Sequence, residues 1–363
     1  MITALLVIAI LVVLIVAHEL GHFIAAKIFK VRVEEFGVGY PPRAFLFGKI
    51  GETEYTFNWL PFGGFVRLFG DEGEAKHGEG SFVDAKRHVQ ALILIAGVLA
   101  NAILAWGLFA GALALGIPRV VDVPRPNETV HLVVADVVAG SPAEAAGIIS
   151  GDNIVGVRDN KDNALARLTA DSVADFVRAR GGKQIFIAYE RAGTTTTVAL
   201  RPAHAVITDN AERPAIGVAL VLVSKDALPL GEALKESFSR TGDAFKQVGG
   251  GLWSILRGAL RGQPNLADIV GPVGLVGVVS DAATHGFANV LALAGFISVN
   301  LAIINLIPIP ALDGGRLLLL GIEAVWRRSA PRLFVQTLNL LGVVLIALLM
   351  LTVTYNDIAR LFS

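Results

Sequence analysis

Residues 1–26 read MITALLVIAILVVLIVAHELGHFIAA. The run is long enough to cross a hydrocarbon core as a helix, which takes roughly 20 residues. It is apolar except for Thr3 and the insert His18-Glu19-Leu20-Gly21-His22, which lies inside the span rather than past its end. Working outward, three further uncharged stretches are long enough to cross: Ala91 to Ile117, Gly286 to Leu312 and Leu333 to Tyr355. The whole chain agrees with them. Of its 363 residues 54% are hydrophobic and 17% charged, with mean hydropathy +0.63, too apolar for an ordinary soluble domain. The expected fold is a polytopic α-helical membrane protein with about four transmembrane helices.

An N-terminal apolar run can also be a cleaved leader, but no basic residue precedes this one and no small-x-small site ends it, so it is read as a retained span. Lys27, Lys30 and Arg32 follow it. Positive charge stays inside, which puts residues 27–90 in the cytoplasm and the N-terminus outside. Alternation then places 118–285 outside, 313–332 inside, where Arg316, Arg327, Arg328 and Arg332 fall, and the C-terminus outside. Lys plus Arg and Asp plus Glu both number 31, so no global field recruits nucleic acid, and no nucleic-acid module is present.

Inside the first span, His18 and His22 are four positions apart and project from one helical face, at the separation two imidazoles need to share a metal ion. Glu19 sits beside them. A carboxylate there can take a proton from water that the metal has acidified. In a chain with 7 His, a chance His-Glu-x-x-His has a probability of about one per cent or less. Two imidazoles and a carboxylate within a bilayer are also costly unless paired or metal-bound. With no cysteine, any zinc site must use His and carboxylate. Two His leave tetrahedral zinc short of a third ligand, and Asp313 is the candidate. It ends the third span in Asn305-Leu-Ile-Pro-Ile-Pro-Ala-Leu-Asp-Gly-Gly315, where Pro308 and Pro310 break the helix and Gly314 and Gly315 let the backbone turn.

Between the first two spans, Tyr55, Phe57 and Trp59 alternate with Glu54, Thr56 and Asn58, and Gly37, Gly39, Pro41, Pro42, Gly48, Gly51, Gly63 and Gly64 punctuate the region. This predicts β-hairpins near the membrane. Between the second and third spans, Val130 to Val138, Gln184 to Glu190 and Thr194 to Leu200 are strand-like, whereas Ser141 to Ala146 and Ser172 to Arg180 have helix character. They predict an α/β domain of about 90 residues. Leu234, Phe238, Phe245, Val248, Leu252, Ile255 and Leu260 recur at helical spacing opposite Lys235, Arg240 and Lys246. That pattern suits a helix lying on the membrane surface or, equally, one packed on the α/β domain.

The pairing of His18-Glu-Leu-Gly-His22 with Asn305-x-x-Pro-x-Pro-x-x-Asp-Gly-Gly closely resembles the site-2 protease family, and more narrowly its bacterial regulator-of-sigma-E members. Phe36-Gly-Val-Gly-Tyr-Pro-Pro42, Pro61-Phe-Gly-Gly-Phe-Val-Arg67 and Gly271-Pro-Val-Gly274 also look like family sequences. Ser141-Pro-Ala-Glu-Ala-Ala-Gly147 followed by Gly151-Asp-Asn-Ile-Val155 resembles the helix-to-strand signature of PDZ domains, with Ala215-Ile-Gly-Val218 as the peptide-carboxylate loop of the circularly permuted form. The resemblance implies zinc held by His18, His22 and Asp313, Glu19 as general base, and Asn305 holding the substrate or its oxyanion. It also implies a membrane-associated β-structure that engages the substrate strand. Well-known enterobacterial members carry two tandem PDZ domains, whereas this chain has room for one plus the amphipathic segment.

The expected organisation is thus an N-terminal membrane half over 1–120, a periplasmic PDZ-like domain over 121–225, an amphipathic linker over 226–285 and a C-terminal membrane half over 286–363. The family's usual partners would be the bilayer, a trimmed anti-sigma-factor-like membrane substrate and a peptide C-terminus at the PDZ-like domain. Its seat would be a bacterial inner membrane, with the active site near the cytoplasmic side. Two rivals fit less well. A scaffold with a closed structural zinc site needs a fourth protein ligand, yet His77, His88, His131, His204 and His285 all lie outside the spans. A metal transporter would show more than one intramembrane ligand cluster.

Overall fold

The computed structural model describes residues 2–71, 77–204, 206, 213–262, 270–328 and 330–361. Met1 and the side chains of Pro61, Phe62, Leu260 and Arg332, named above, lie outside the described residues. In chain order the elements are α1 (Ile2–Ile28), β1 (Val33–Ile50), β2 (Thr53–Leu68), α2 (Arg87–Ala114), β3 (Arg119–Val120), β4 (Val130–Val137), α3 (Pro142–Ala145), β5 (Asn153–Asp159), α4 (Ala170–Arg178), β6 (Ile185–Arg191), β7 (Thr194–Leu200), β8 (Val218–Ser224), α5 (Leu230–Leu260), α6 (Pro272–Thr284), α7 (Phe287–Leu306), α8 (Asp313–Trp326) and α9 (Arg332–Leu361). They form two compact units, Met1–Leu115 with Leu228–Ser363, and Gly116–Ala227.

Among the described residues of the first unit four helices are long and apolar enough to cross a membrane: α1, α2, α7 and the Leu333–Arg360 stretch of α9. Small residues set how closely they approach. A Cβ on Gly21 of α1 would run into the Ala96 carbonyl of α2 and come within 2.8 Å of Ala100 Cβ. On its other side α2 packs on α7, with Ala105, Phe109 and Val299 buried together. Ser298 of α7 donates to the Asn101 carbonyl at 2.8 Å.

The amphipathic segment is the single helix α5, and its protein-facing side joins small residues to part of the large apolar stripe. Among its described side chains Ala233, Ser237, Thr241 and Ala244 are the buried ones, and Ala244 packs in the α2–α7 core with Phe245 and Val248 beside it. Trp106 of α2 donates to the Leu234 carbonyl at 2.8 Å. Ser237 and Thr241 return their hydroxyls to their own helix, so the stripe is small without leaving polar atoms unpaired. Phe238 is 74% exposed. The helix α6 has a long-range cap: Asp357 of α9 accepts from the Gly271 and Gly274 N–H groups at 3.1 and 2.8 Å, satisfying orphan donors of its first turn.

The strands β1 and β2 form an antiparallel pair that doubles back on itself. The β1 residues Glu35 to Val38 face Gly64 to Arg67 on one edge and Glu54 to Phe57 on the other, and the β1 residues Arg43 to Ile50 pair with Thr53 to Asn58. The inner end is buried and ionic: Glu35 is held by Arg43 at 3.0 Å, Arg67 at 2.9 Å and the Thr56 hydroxyl at 2.7 Å. The outer end exposes Tyr40, Phe45, Phe47, Trp59 and Leu60.

The second unit is a six-stranded sheet of order β3-β8-β4-β5-β6-β7. Inward residues such as Leu132, Val134, Ile154, Val157, Ile185 and Ile187 form its core with Val173 and Phe176 of α4. A capping box between Thr169 and Ser172 starts α4. Asp152 is buried in this unit, and Arg191 closes on it with two bonds of 2.6 and 2.7 Å while the Ile149 N–H adds a third at 2.9 Å. Burial pushes the Asp152 pKa up, but these donors outweigh it and hold the carboxyl below its ordinary value. Arg191→Leu therefore strands a buried carboxylate and should destabilise the sheet by about 2–3 kcal/mol at neutral pH. A lowered folded pKa contributes stability that is present above the unfolded value of about 3.9 and lost as pH falls through the folded one. Hydrogen-exchange protection of β4 to β6 should thus separate wild type from variant at pH 7 and converge in acid. A gap that does not narrow as the pH is lowered would contradict this.

Candidate metal centre

The helix α1 carries His18 and His22 on one face, both under 10% exposed. Asp313 arrives from the other end of the chain. The helix α7 stops at Leu306, because Pro308 and Pro310 follow. The backbone then crosses to α8 through Ala311, whose φ of 74° is left-handed. Its N–H is held by Asn339 Oδ1 of α9 at 3.4 Å. Gly314 and Gly315 were expected to supply the turn, yet neither has positive φ. They are needed for room: a Cβ on Gly314 would run into the Leu306 and Ile307 carbonyls, and one on Gly315 into that of Ile309.

This turn brings Asp313 Oδ2 to 3.0 Å from His18 Nε2 and 3.3 Å from His22 Nε2, while the two Nε2 atoms stand 3.1 Å apart. Among the described residues these three form a group able to hold a metal ion. His22 Nδ1 is 2.8 Å from the Ile93 carbonyl. That bond takes the ring proton, so His22 Nε2 presents a lone pair. A lone pair facing an imidazole nitrogen and a carboxylate oxygen is unfavourable unless a proton or a metal cation sits among them. Zinc bonded at about 2.0–2.1 Å with tetrahedral angles holds its ligand atoms about 3.3–3.4 Å apart, close to the triangle seen. One carboxylate and two neutral imidazoles are also zinc's usual donors, so the residues fit the ion.

Glu19 lies outside the triangle but against it, in the field of both His and Asp313, with the Val66 backbone of β2 bonded to it. A Cβ on Gly64 of β2 would sit 3.2 Å from Glu19 Cγ, so the strand passes close to this side chain with little room to spare. Asn305 directs Nδ2 to 3.3 Å from His18 Nε2. All five residues expected at the site are therefore together.

Sequence reading missed the third wall, which is α2. Ile93, Gly97 and Asn101 are spaced by four and face the imidazoles: Ile93 through its carbonyl, Gly97 by lacking a side chain where a Cβ would lie 2.5 Å from His22 Nε2, and Asn101 with its amide 3.4 Å from His18 Nδ1. A lone Asn four residues after a Gly within an otherwise apolar span was the available signal.

The sequence profile of peptidase family M50 matches residues 6–349. A provisionally named zinc metalloprotease of Clostridium perfringens is 34% identical over 95% of both chains. Another, of Clostridium acetobutylicum, is 33% identical over 97% of both, and zinc metalloprotease RasP of Geobacillus kaustophilus is 26% identical over 96% of both. Among solved structures, the PDZ domain of an SdrC-like protein from Listeria monocytogenes is 20% identical, covers 27% of this chain and 93% of its own, and has a TM-score of 0.21. Matched along nearly its whole length, and bringing His18, His22 and Asp313 into one site, the chain belongs to peptidase family M50, the site-2 protease family.

Proposed function

We propose that this zinc metalloprotease hydrolyses a peptide bond within or near the membrane-spanning helix of a single-span substrate, an anti-sigma-factor-like protein already trimmed by another protease. The observation that carries the reading is the convergence of His18, His22 and Asp313 between helices apolar enough to cross a bilayer, with Glu19 against them. When bound, zinc polarises the scissile carbonyl and acidifies water. Glu19 takes the proton of the attacking water and passes it to the leaving amine. Asn305 Nδ2 donates to the carbonyl oxygen as negative charge builds on it.

A helix hides its carbonyls in internal hydrogen bonds, so the substrate must unwind to be cut. The sheet of β1 and β2 suits that task, because adding the substrate as a strand would replace the bonds it gives up. The outer aromatic residues of that sheet then rest in the membrane boundary. The protein sits in a bacterial plasma membrane with both termini periplasmic and the active site near the cytoplasmic side, as the placement of Lys27, Lys30, Arg32 and Arg316 supports. The second unit acts as a periplasmic PDZ-like domain that screens arriving chains. A peptide C-terminus would enter beside Ala215 to Val218 and run along β8, the strand that α4 approaches.

The test is to reconstitute the protein in vesicles with a single-span reporter and read the product termini by mass spectrometry. The expected termini fall inside the apolar segment, vanish on chelation and return with zinc. Cuts confined to the soluble flanks, or indifferent to chelator, would overturn the proposal.

A further inference from the structure

A histidine that binds metal through Nε2 keeps a proton on Nδ1, and that proton needs an acceptor to hold the ring's tautomer and orientation. For His22 the acceptor is the Ile93 carbonyl at 2.8 Å. For His18 the group within reach is the Asn101 side-chain amide, with Nδ2 at 3.4 Å from Nδ1. In that orientation donor meets donor. Asn101 is fully buried, and its own Oδ1 has no hydrogen-bond partner among the described residues. Oxygen and nitrogen of an amide are nearly isosteric, so half a turn of the group exchanges them. After that turn Oδ1 stands where the His18 proton points.

We propose that Asn101 is a positioning residue for the metal centre: its amide oxygen accepts the Nδ1 proton of His18 and holds that ring's Nε2 toward the metal. One helix then orients both imidazoles. Ile93 and Asn101 lie eight residues apart on the same face of α2, with Gly97 between them leaving space for the rings. Ser298 of α7 bonds the Asn101 carbonyl at 2.8 Å and so fixes the backbone from which the amide reaches. Asn101 is not a ligand. It acts only through His18, and the proposal rests on the zinc reading of the same site.

The test measures zinc affinity of the full-length detergent-solubilised protein by chelator competition, for wild type, Asn101→Leu, Asn101→Asp and Asp313→Ala. Leu keeps the volume and removes the acceptor, so affinity should fall about 10–100-fold, the usual effect of losing such a partner. Asp keeps an acceptor at the same place and should restore affinity to within a few-fold of wild type. Wild-type affinity in Asn101→Leu would overturn the proposal, and so would equal loss in the Leu and Asp variants, which is what packing alone predicts. Asp313→Ala separates the two readings. If it binds zinc as wild type does, the ligand set itself is wrong. If it loses zinc while Asn101→Leu does not, only the role of Asn101 fails.

Discussion

Replacing Glu19 with Gln should lower cleavage of a membrane-embedded reporter by about a hundred- to ten-thousand-fold while zinc stays bound. The magnitude is that of a lost general base. The substitution preserves shape: the Gln amide oxygen can still accept from the Val66 backbone that bonds Glu19, and Gly64 still has the same side chain passing it. What disappears is the ability to take a proton from water and return it to the amine. Zinc should remain because the proposed ligand triangle is made by His18, His22 and Asp313, without Glu19. Two measurements decide the matter, metal content per chain and the first-order rate of reporter cleavage at saturating protein. Loss of both together would make Glu19 a ligand. Unchanged cleavage with full zinc would remove it from the mechanism.

The residues proposed to carry this chemistry stand out in the sequence because their signals are local and chemically expensive. Imidazoles and carboxylates do not sit in an apolar run without a partner, so His18, Glu19 and His22 stand out, and Pro308 and Pro310 mark where the chain must break to present Asp313. The four long apolar helices were equally legible, since length and lack of charge suffice.

What escaped the sequence is set by distant backbone groups. The Asp357 cap on α6 joins residues more than eighty positions apart, and no periodicity reports it. In α5 the large residues Phe245 and Val248 do pack inward, but the small Ala233, Ser237, Thr241 and Ala244 that face the protein with them carry no hydrophobic signal, and close packing between helices rewards such small side chains. The doubling back of β1 and β2 escaped for a related reason: glycine-rich strands specify register weakly, so alternation over Tyr55 to Trp59 showed strand character without showing which edge each half would take. In the second unit, β8 pairs with β4 along its length although 80 residues separate them, and only its loop, Ala215 to Val218, had drawn notice.

Gly97 shows how much of the metal centre depends on what is absent from a side chain. Gly97→Ala should reduce zinc affinity by about a hundredfold and carry cleavage down with it. An added Cβ would lie 2.5 Å from His22 Nε2, 2.6 Å from His22 Cε1 and 2.7 Å from His18 Cε1, roughly 1 Å inside an ordinary contact. Those atoms are not free ends that can swing aside. The Nε2 atom is the proposed ligand, and rotating the ring away breaks its Nδ1 bond to Ile93 at 2.8 Å. Moving α2 outward instead separates Ile93 and Asn101 from both imidazoles at once. Either response misplaces a ligand by about 1 Å, which is enough to lose about two orders of magnitude at a preorganised site. Gly107 on the same helix is the control, since a Cβ there meets nothing within 4 Å, and Gly107→Ala should bind zinc and cleave as wild type does. Chelator competition on both variants makes the comparison. If Gly97→Ala holds zinc as tightly as Gly107→Ala, then α2 does not wall the site.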